Sequence, residues 1–247
     1  MSHFILMHLE AHRMSWGSNS YSMERNTDLI PTRSGVGGLI ANAMGLNRDD
    51  PDIDSLMKQI RISVKVLRSG NSYTDYQNIH IWDVSSPKKG IIDGCQEIVD
   101  NMQSWRTYLT DAAFQVALEV LPGRFTPEEV LYYLKNPIRP LYLGRKVCPP
   151  SYPVCMPNDV VHERDSAWDL LQDKGLFVAI YKERNWVCRG GELVPVSYKP
   201  LQTLYLDAPN PPKGGMNVPR KRNDVNINNV RRSFTYRTEH IWNPRED

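Results

Sequence analysis

The residues best suited to chemistry lie near position 145, where an aromatic ring, a glycine and two cations occur within five positions. The motif is Tyr142-Leu143-Gly144-Arg145-Lys146. A tyrosine ring can stack on an unpaired base, a glycine lets two chains approach closely, and adjacent cations can neutralise phosphates. The motif therefore favours single-stranded nucleic acid as a ligand. The alternative is a strand end that carries two solvated cations.

A second candidate site is the glycine-containing stretch 31–45, which is typical of a tight loop that opens a helix. Ser34 is predicted as the N-cap, apolar residues then recur at helical spacing, and Gly45 is predicted to end the helix. The helix start offers free N–H groups with Arg33 beside them, so a phosphate would fit there. The P-loop and dinucleotide patterns are absent. The alternative is a well-capped core helix.

Composition limits the class of protein. The chain has 247 residues, 40% of them hydrophobic, and a net charge of +2, so it can bury a large core. We expect a cytoplasmic protein without a membrane span, because no run of about 18 apolar residues occurs. The four cysteines have no zinc-site spacing and are expected to be free thiols. No cofactor and no metal are predicted.

Positive charge is concentrated near the C-terminus. Residues 219–245 hold seven basic side chains against only Asp224 and Glu239. Such a basic strip is typical of a protein that binds a phosphate backbone. The alternative is a solvated tail that keeps the protein soluble.

The order of predicted elements indicates the fold that positions these residues. A strand at 4–9 precedes the helix at 34–44, and a strand at 60–67 with one wet face precedes a long arm at 70–104. A buried strand at 112–121 and a helix that starts at Thr126 follow. This order predicts an α+β fold with an RRM-like, ferredoxin-like core.

Two domains are expected within this α+β fold. Residues 1–150 would form the RRM-like (ferredoxin-like) domain, with the thumb inserted at about 70–104. Residues 151–247 would form a smaller, irregular and β-rich C-terminal extension that ends in the basic tail.

Several motifs together resemble the CasD subunits of type I-E CRISPR Cascade complexes, in register from about residue 3 to residue 150. The matching segments are Pro31–Gly35, Leu46–Asp50, Trp105–Ala112, Tyr142–Pro149 and the C-terminal positions Asp224, Val225, Arg231–Phe234 and Arg237. Four of these segments in the right order and spacing are more specific than any one alone. From 150 to 220 the resemblance is sparse.

The resemblance implies a role in antiviral defence. Members of that family are non-catalytic RNA-binding subunits of a ribonucleoprotein complex. They cap the crRNA by holding its repeat-derived 5′ handle, and they contact neighbouring backbone subunits and the large subunit, with target DNA in the assembled complex. Carried over by position, the expected RNA-binding residues are Arg33, Ser34, Arg106, Tyr142, Gly144, Arg145 and Lys146. The arm would be the family's thumb.

Two other functions fit the sequence. One is a metal-independent endoribonuclease that processes CRISPR repeat RNA, for which His80, His162 and Lys146 are the candidates for a base and a cation. Both histidines are predicted to lie in loops. The other is a protein-interaction adaptor, whose binding would lack the steep salt dependence expected for RNA.

Overall fold

The computed structural model describes residues 1–17, 23–82, 98–173, 186–189, 192–195, 204–207, 215–228 and 233–244. It confirms the α+β class. Nine of the described strands form one large sheet, and almost all pairs in it are antiparallel. The described helices are short, and none of them is long and apolar enough to cross a membrane.

The elements follow the chain in a simple order. The helices are α1 (Arg33–Ala43), α2 (Asp52–Gln59), α3 (Pro127–Lys135) and α4 (Ala167–Gln172). The first eight strands are β1 (Ser2–Met14), β2 (Trp16–Gly17), β3 (Glu24–Arg25), β4 (Thr27–Asp28), β5 (Ile60–Arg68), β6 (Asn71–Trp82), β7 (Ile98–Val120) and β8 (His162–Arg164). The last five strands are β9 (Trp186–Arg189), β10 (Glu192–Pro195), β11 (Leu204–Leu206), β12 (Gly215–Asn228) and β13 (Ser233–Pro244).

Four strands form the centre of the sheet in the order β5-β7-β1-β8, and each neighbouring pair is antiparallel. Helices α1 and α2 connect β1 to β5 along the chain, and α3 lies between β7 and β8. This alternation is compatible with a ferredoxin-like core. The apolar residues of β1, β5 and β7 bury against these helices, which fixes the register of the sheet.

Helix α1 is capped by a different residue from the one predicted. Thr32, not Ser34, is the N-cap, and its hydroxyl accepts from the Gly35 N–H at 3.0 Å. Thr32 and Ser34 both carry a hydroxyl shortly before the first apolar residue, so the local pattern that predicted Ser34 also suits Thr32. The helix stops where predicted, because Gly45 adopts a φ of +74°.

Strand β5 is buried on both faces, so the prediction of one wet face is wrong. Its alternate residues Ser63 and Lys65 are 3% and 8% exposed. A second apolar cluster, which includes α4 and β11, covers this face. The Lys65 ammonium donates to the Leu171 carbonyl oxygen of α4 at 2.8 Å, so a hydrogen bond to this helix compensates for the burial of the lysine.

The predicted arm is a long antiparallel hairpin in its described part. Strand β6 pairs with residues 98–110 of β7, from Asn71 opposite Thr110 to Trp82 opposite Ile98. We call this hairpin the arm. Strand β7 then continues into the core and pairs with β1 and β5, so one strand belongs to both parts. Residues 83–97 lie outside the described residues.

The C-terminal strands extend the same sheet. Strand β11 pairs with β5 through Leu204 opposite Lys65, and β13 and β12 follow at the edge. Strands from both sides of the expected boundary at residue 150 therefore share one sheet. Strands β9 and β10 pair separately.

Candidate nucleic-acid interface

Arg145 fastens the loop after Tyr142 to the base of the arm. Its guanidinium donates to the Thr107 carbonyl oxygen at 3.0 Å and to the Arg25 carbonyl oxygen at 2.6 Å. It also lies 4.7 Å from the ring centroid of Tyr108. The planar fork of arginine suits two carbonyl acceptors at once. Arg145 therefore positions the loop relative to β3 and β7.

Three arginines converge on one face of the arm around Tyr108. The Arg13 guanidinium lies 5.9 Å from the Tyr108 ring centroid and 5.2 Å from that of Tyr73. Arg106 lies two residues before Tyr108 on β7, and alternate residues of a strand share a face. Arg145 reaches the same ring. Tyr108 itself is only 1% exposed, so the cations cover it.

Two more cations complete this surface. Arg25 on β3 pairs in register with Arg106, and Lys146 follows Arg145 in the loop. Arg13, Arg25 and Lys146 are exposed, whereas Arg106 and Arg145 are half-buried. We call these five residues the arm-base cluster. They come from β1, β3, β7 and the loop after Leu143.

Among the described side chains of residues 71–79 and 102–110, Asp75 is the one carboxylate on this face of the arm. Asp75 lies opposite Arg106 in the register of β6 and β7. Its carboxylate also accepts from the Gln77 amide at 3.0 Å. The cations of the arm-base cluster outnumber this carboxylate, which favours a phosphate backbone as the ligand of the arm base.

Gly144 permits a close approach, but to the protein's own backbone. Its φ is +91°, and a Cβ atom there would lie 1.6 Å from the carbonyl oxygen of Ser15. The neighbouring Ser15 N–H donates to the Leu143 carbonyl oxygen at 3.0 Å. Gly144 therefore presses the loop against the end of β1, which brings Arg145 to the arm.

The opposite face of the arm carries two exposed aromatic rings. Tyr76 and Trp105 are 50% and 39% exposed, and their ring centroids lie 5.4 Å apart. They face each other across the register of β6 and β7. Exposed aromatic rings beside a cationic surface are typical of proteins that bind single-stranded RNA.

Ser34 and Tyr142 lie together in a cleft of about 280 Å³ beside α1. Arg48 and Arg139 line it as well. The Arg139 guanidinium donates to the Leu46 carbonyl oxygen at 2.9 Å and therefore forms a fixed wall. None of the residues that line this cleft is acidic. The cleft is joined to the arm-base cluster by the segment 142–145, whose ends are at most about 11 Å apart.

The predicted phosphate position at the start of α1 is occupied by a carboxylate of the chain itself. The Arg33 N–H donates to Asp224 Oδ2 at 2.9 Å, and the Arg33 guanidinium donates to the Met57 carbonyl oxygen at 2.6 Å. Burial lowers the pKa of Arg33, although Asp207 and Asp224 raise it in part. The backbone N–H and the guanidinium of Arg33 are therefore both bound to acceptors of the chain itself.

Of the four cations of the predicted basic strip that the structure describes, two are buried in ion pairs. Arg222 and Arg237 have side chains that are 3% and 7% exposed, and both contact Asp224 and Glu239. Burial raises the pKa of the Asp224 carboxyl, but the hydrogen bond and charge of Arg237 outweigh it, so that pKa lies below its ordinary value. These two arginines hold β12 and β13 together and are not part of a solvated tail, whereas phosphate binding by the rest of the strip stays a prediction. Arg231, Arg232 and Arg245 lie outside the described residues.

The three candidates for ribonuclease chemistry are separated. His80 and His162 lie in strands β6 and β8, not in loops. His162 pairs opposite Phe4, and Lys146 lies beyond the other end of β1, about 30 Å away along the strand. Burial lowers the pKa of His162. In the part of the chain that the structure describes, no group of three or more metal-ligating residues occurs.

The predicted residues thus fall into three places. Arg106, Gly144, Arg145 and Lys146 meet at the arm base, Ser34 and Tyr142 meet in the cleft, and Arg33 lies under β12. Arg13 and Arg25 had no local signal in the sequence, because their contribution depends on strand pairing. Arg48 and Arg139 were missed because the residues of the cleft are spread from position 34 to position 142. Cys148 is a free and buried thiol, and the buried Cys155 thiol donates to the Leu6 carbonyl oxygen at 3.9 Å.

The chain belongs to the Cas5 family of CRISPR-associated proteins. The family profile described as "CRISPR-associated protein (Cas_Cas5)" matches residues 4–237, which is most of the chain.

Individual relatives are consistent with this family. The chain is 28% identical over 162 residues to the "CRISPR system Cascade subunit CasD" of Escherichia coli (strain K12), a match that covers 62% of this chain and 70% of that protein. A solved chain of a "CRISPR RNA-guided surveillance complex" shares the fold, with a TM-score of 0.60, 24% identity and coverage of 96% of this chain and 88% of that one. A second structure, "Crystal structure of Cas protein", has a TM-score of 0.59 at 27% identity, with 98% and 95% covered.

Proposed function

We propose that the chain is an RNA-binding subunit of a CRISPR Cascade complex, in which it caps the crRNA by holding the repeat-derived 5′ handle against the arm base. The observation that carries the proposal is the convergence of Arg13, Arg106 and Arg145 around Tyr108. Cations from distant segments that meet on one face make a surface for phosphates, which a solvated tail does not.

The arm supplies two kinds of contact to a single strand of RNA. The arm-base cluster on one face neutralises phosphates. Tyr76 and Trp105 on the other face offer rings on which bases can stack. A strand that passes from one face to the other around the arm would use both.

The proposed subunit is a scaffold rather than a nuclease. Cleavage beside a 2′-hydroxyl needs a base and a cation within reach of one phosphate. The separation of His80, His162 and Lys146 along the sheet supports a non-catalytic role. Endoribonuclease activity on repeat RNA is the competing function, and the experiment below detects it.

Neighbouring protein subunits are expected partners, because the curated relative is named as a subunit of Cascade. We propose that the chain contacts the backbone subunits and the large subunit of such a complex, and that target DNA joins it in the assembled state. Capture of RNA together with a backbone subunit would then be stronger than capture by the chain alone.

The experiment uses labelled repeat-plus-spacer RNA in a gel, without metal, with the purified chain and with co-expressed backbone subunits. Intact RNA in a handle-dependent, salt-sensitive complex is the expected result. Arg106→Ala should weaken the complex, whereas Arg124→Ala should not, because Arg124 is an exposed cation beyond the other end of β7. A discrete cut within the repeat would make the chain a processing ribonuclease. Salt-independent assembly would make it an adaptor.

A further inference from the structure

The cleft beside α1 has the size and lining of a site for one small flat group. Its volume is about 280 Å³, slightly below the range of sites for drug-sized ligands. Its floor includes the apolar residues Leu46, Ile53 and Met57, and the Tyr142 ring lies among the lining residues. A planar, partly polar ring fits such a floor, because it can stack on an aromatic side chain and keep its edge hydrated.

Gly38 keeps this cleft open. It lies in the middle of α1 on the exposed side, and a Cβ atom there would meet nothing within 4 Å. A glycine inside a helix costs about 1 kcal/mol relative to alanine. At this position neither backbone conformation nor packing requires a glycine, and the space above it belongs to the cleft.

Asn42 gives the cleft a hydrogen-bonding preference. Its Nδ2 atom donates to the Pro140 carbonyl oxygen at 2.8 Å. Because a carbonyl oxygen can only accept, the amide orientation is fixed and Oδ1 remains as an acceptor on a residue that lines the cleft. An acceptor favours a ring with an exocyclic amino group over one that presents carbonyl oxygens on both sides of a single N–H.

From these observations we infer that the cleft holds one unpaired nucleobase with an exocyclic amino group, such as adenine or cytosine, taken from the RNA strand bound at the arm base. The inference rests on the proposed function, because the segment 142–145 joins the cleft to the arm-base cluster. Arg48 stands exposed at the cleft and suits the phosphate of the same nucleotide.

The test compares short oligouridine with the same strand that carries one central adenosine or cytidine, by fluorescence anisotropy with the purified full-length chain. A single amino-bearing base should raise affinity about five- to tenfold. Gly38→Leu fills the cleft and Asn42→Ala removes the acceptor, so each variant should bind the three strands with equal affinity. Gly38→Ala is the folding control, since alanine improves the helix and meets no atom.

The outcomes separate the two proposals. Equal affinity of the wild-type chain for all three strands would overturn the base site and leave RNA binding at the arm intact. Retention of the preference by Gly38→Leu and Asn42→Ala would also overturn it. If the wild-type chain binds none of these strands but holds the repeat-plus-spacer RNA, the base site is overturned and the proposed function stands. Failure to bind either kind of RNA would overturn the proposed function, and with it the base site.

Discussion

At the scale of single residues, two adjacent cations do different work. Arg145 directs its guanidinium inward to two carbonyl oxygens and a buried ring, whereas Lys146 is exposed. The rigid fork of arginine suits the first task, and a flexible ammonium suits a phosphate contact in solvent. Their sequence neighbourhood made them appear equivalent, because only the folded chain shows where each side chain points.

We predict that Lys146→Ala weakens RNA binding and leaves stability unchanged. The loss of one phosphate contact should reduce the slope of log affinity against log salt by about 0.7 for single-stranded RNA. Titrations at several salt concentrations measure this slope. An unchanged slope would show that Lys146 contacts no phosphate. Lys58→Ala on α2 is a control, because that exposed lysine lies away from the arm.

Gly144→Ala should both destabilise the protein and weaken RNA binding. The positive φ alone costs about 1–3 kcal/mol, and the overlap with the Ser15 carbonyl forces the loop away from β1. Urea unfolding measures the first effect and a binding titration the second. Gly17→Ala is the matched control, because its Cβ would meet nothing within 4 Å and Gly17 is also exposed near the end of β1. Normal stability of Gly144→Ala would mean that the loop tolerates a different path.

At the scale of elements, the arm combines two faces with different chemistry. Strand alternation places the Tyr108 face and the Trp105 face on opposite sides of the same hairpin. The β-branched and aromatic residues of β6 and β7 suit a two-stranded ribbon that is solvated on both sides. An element of this kind can present cations on one face and the exposed rings of Tyr76 and Trp105 on the other.

Trp105→Ala should lower RNA affinity by about 1–3 kcal/mol if a base stacks on the exposed ring. Stability should change little, because Trp105 is 39% exposed and its ring lies beside that of Tyr76, which is 50% exposed. Binding titrations and thermal melts give the two quantities. A lower melting temperature with unchanged affinity would assign the two rings to holding the arm together.

Short-range sequence signals predicted where helices and strands lie better than they predicted which strands pair with each other. Helix α3 begins at Thr126 and Pro127 as expected, because an N-cap hydroxyl and an N1 proline act within one turn. The continuity of β7 from the arm into the core was missed, since its polar first half resembles a loop. Arg13 and Arg25 of the arm-base cluster could not be identified from the sequence. Strand pairing brings them together, and no short stretch of sequence shows which strands pair.

At the scale of the whole molecule, a buried ion network joins the C-terminal hairpin to the N-terminal core. Asp224 on β12 accepts from the first N–H of α1, although the two residues are 191 positions apart. Arg222 donates to the Ile30 carbonyl oxygen at 2.9 Å. A count of charges in the sequence showed a basic strip, but it could not show that Arg222 and Arg237 pair with Asp224 and Glu239 of the same hairpin.

Asp224→Asn should lower the free energy of unfolding at pH 7 by about 3 kcal/mol, because it leaves Arg222 and Arg237 buried with less negative charge. The pKa of Asp224 is depressed in the folded state. Its contribution to stability is therefore present above the unfolded pKa and is lost as pH falls through the folded pKa. The variant should lose less stability on acidification than the wild type.

Urea unfolding at pH 7 and at about pH 3 measures this pH dependence. Asp207 works in the opposite direction, because burial raises its pKa despite Arg237 and Arg33, so its contribution falls as pH rises. Asp49→Asn, in an exposed loop, is the control. An Asp224→Asn protein as stable as the wild type would show that the network is dispensable.

The continuity of β7 between the core and the arm also limits which insertions and deletions the fold can tolerate. A one-residue deletion near Leu109 would leave the core register in place and turn every arm side chain of β7 to the opposite face. Arg106 would then lie on the face that now carries Trp105, and Trp105 would lie on the face of the arm-base cluster. Changes in arm length are therefore expected to accumulate beyond the arm base, in matched pairs on both strands.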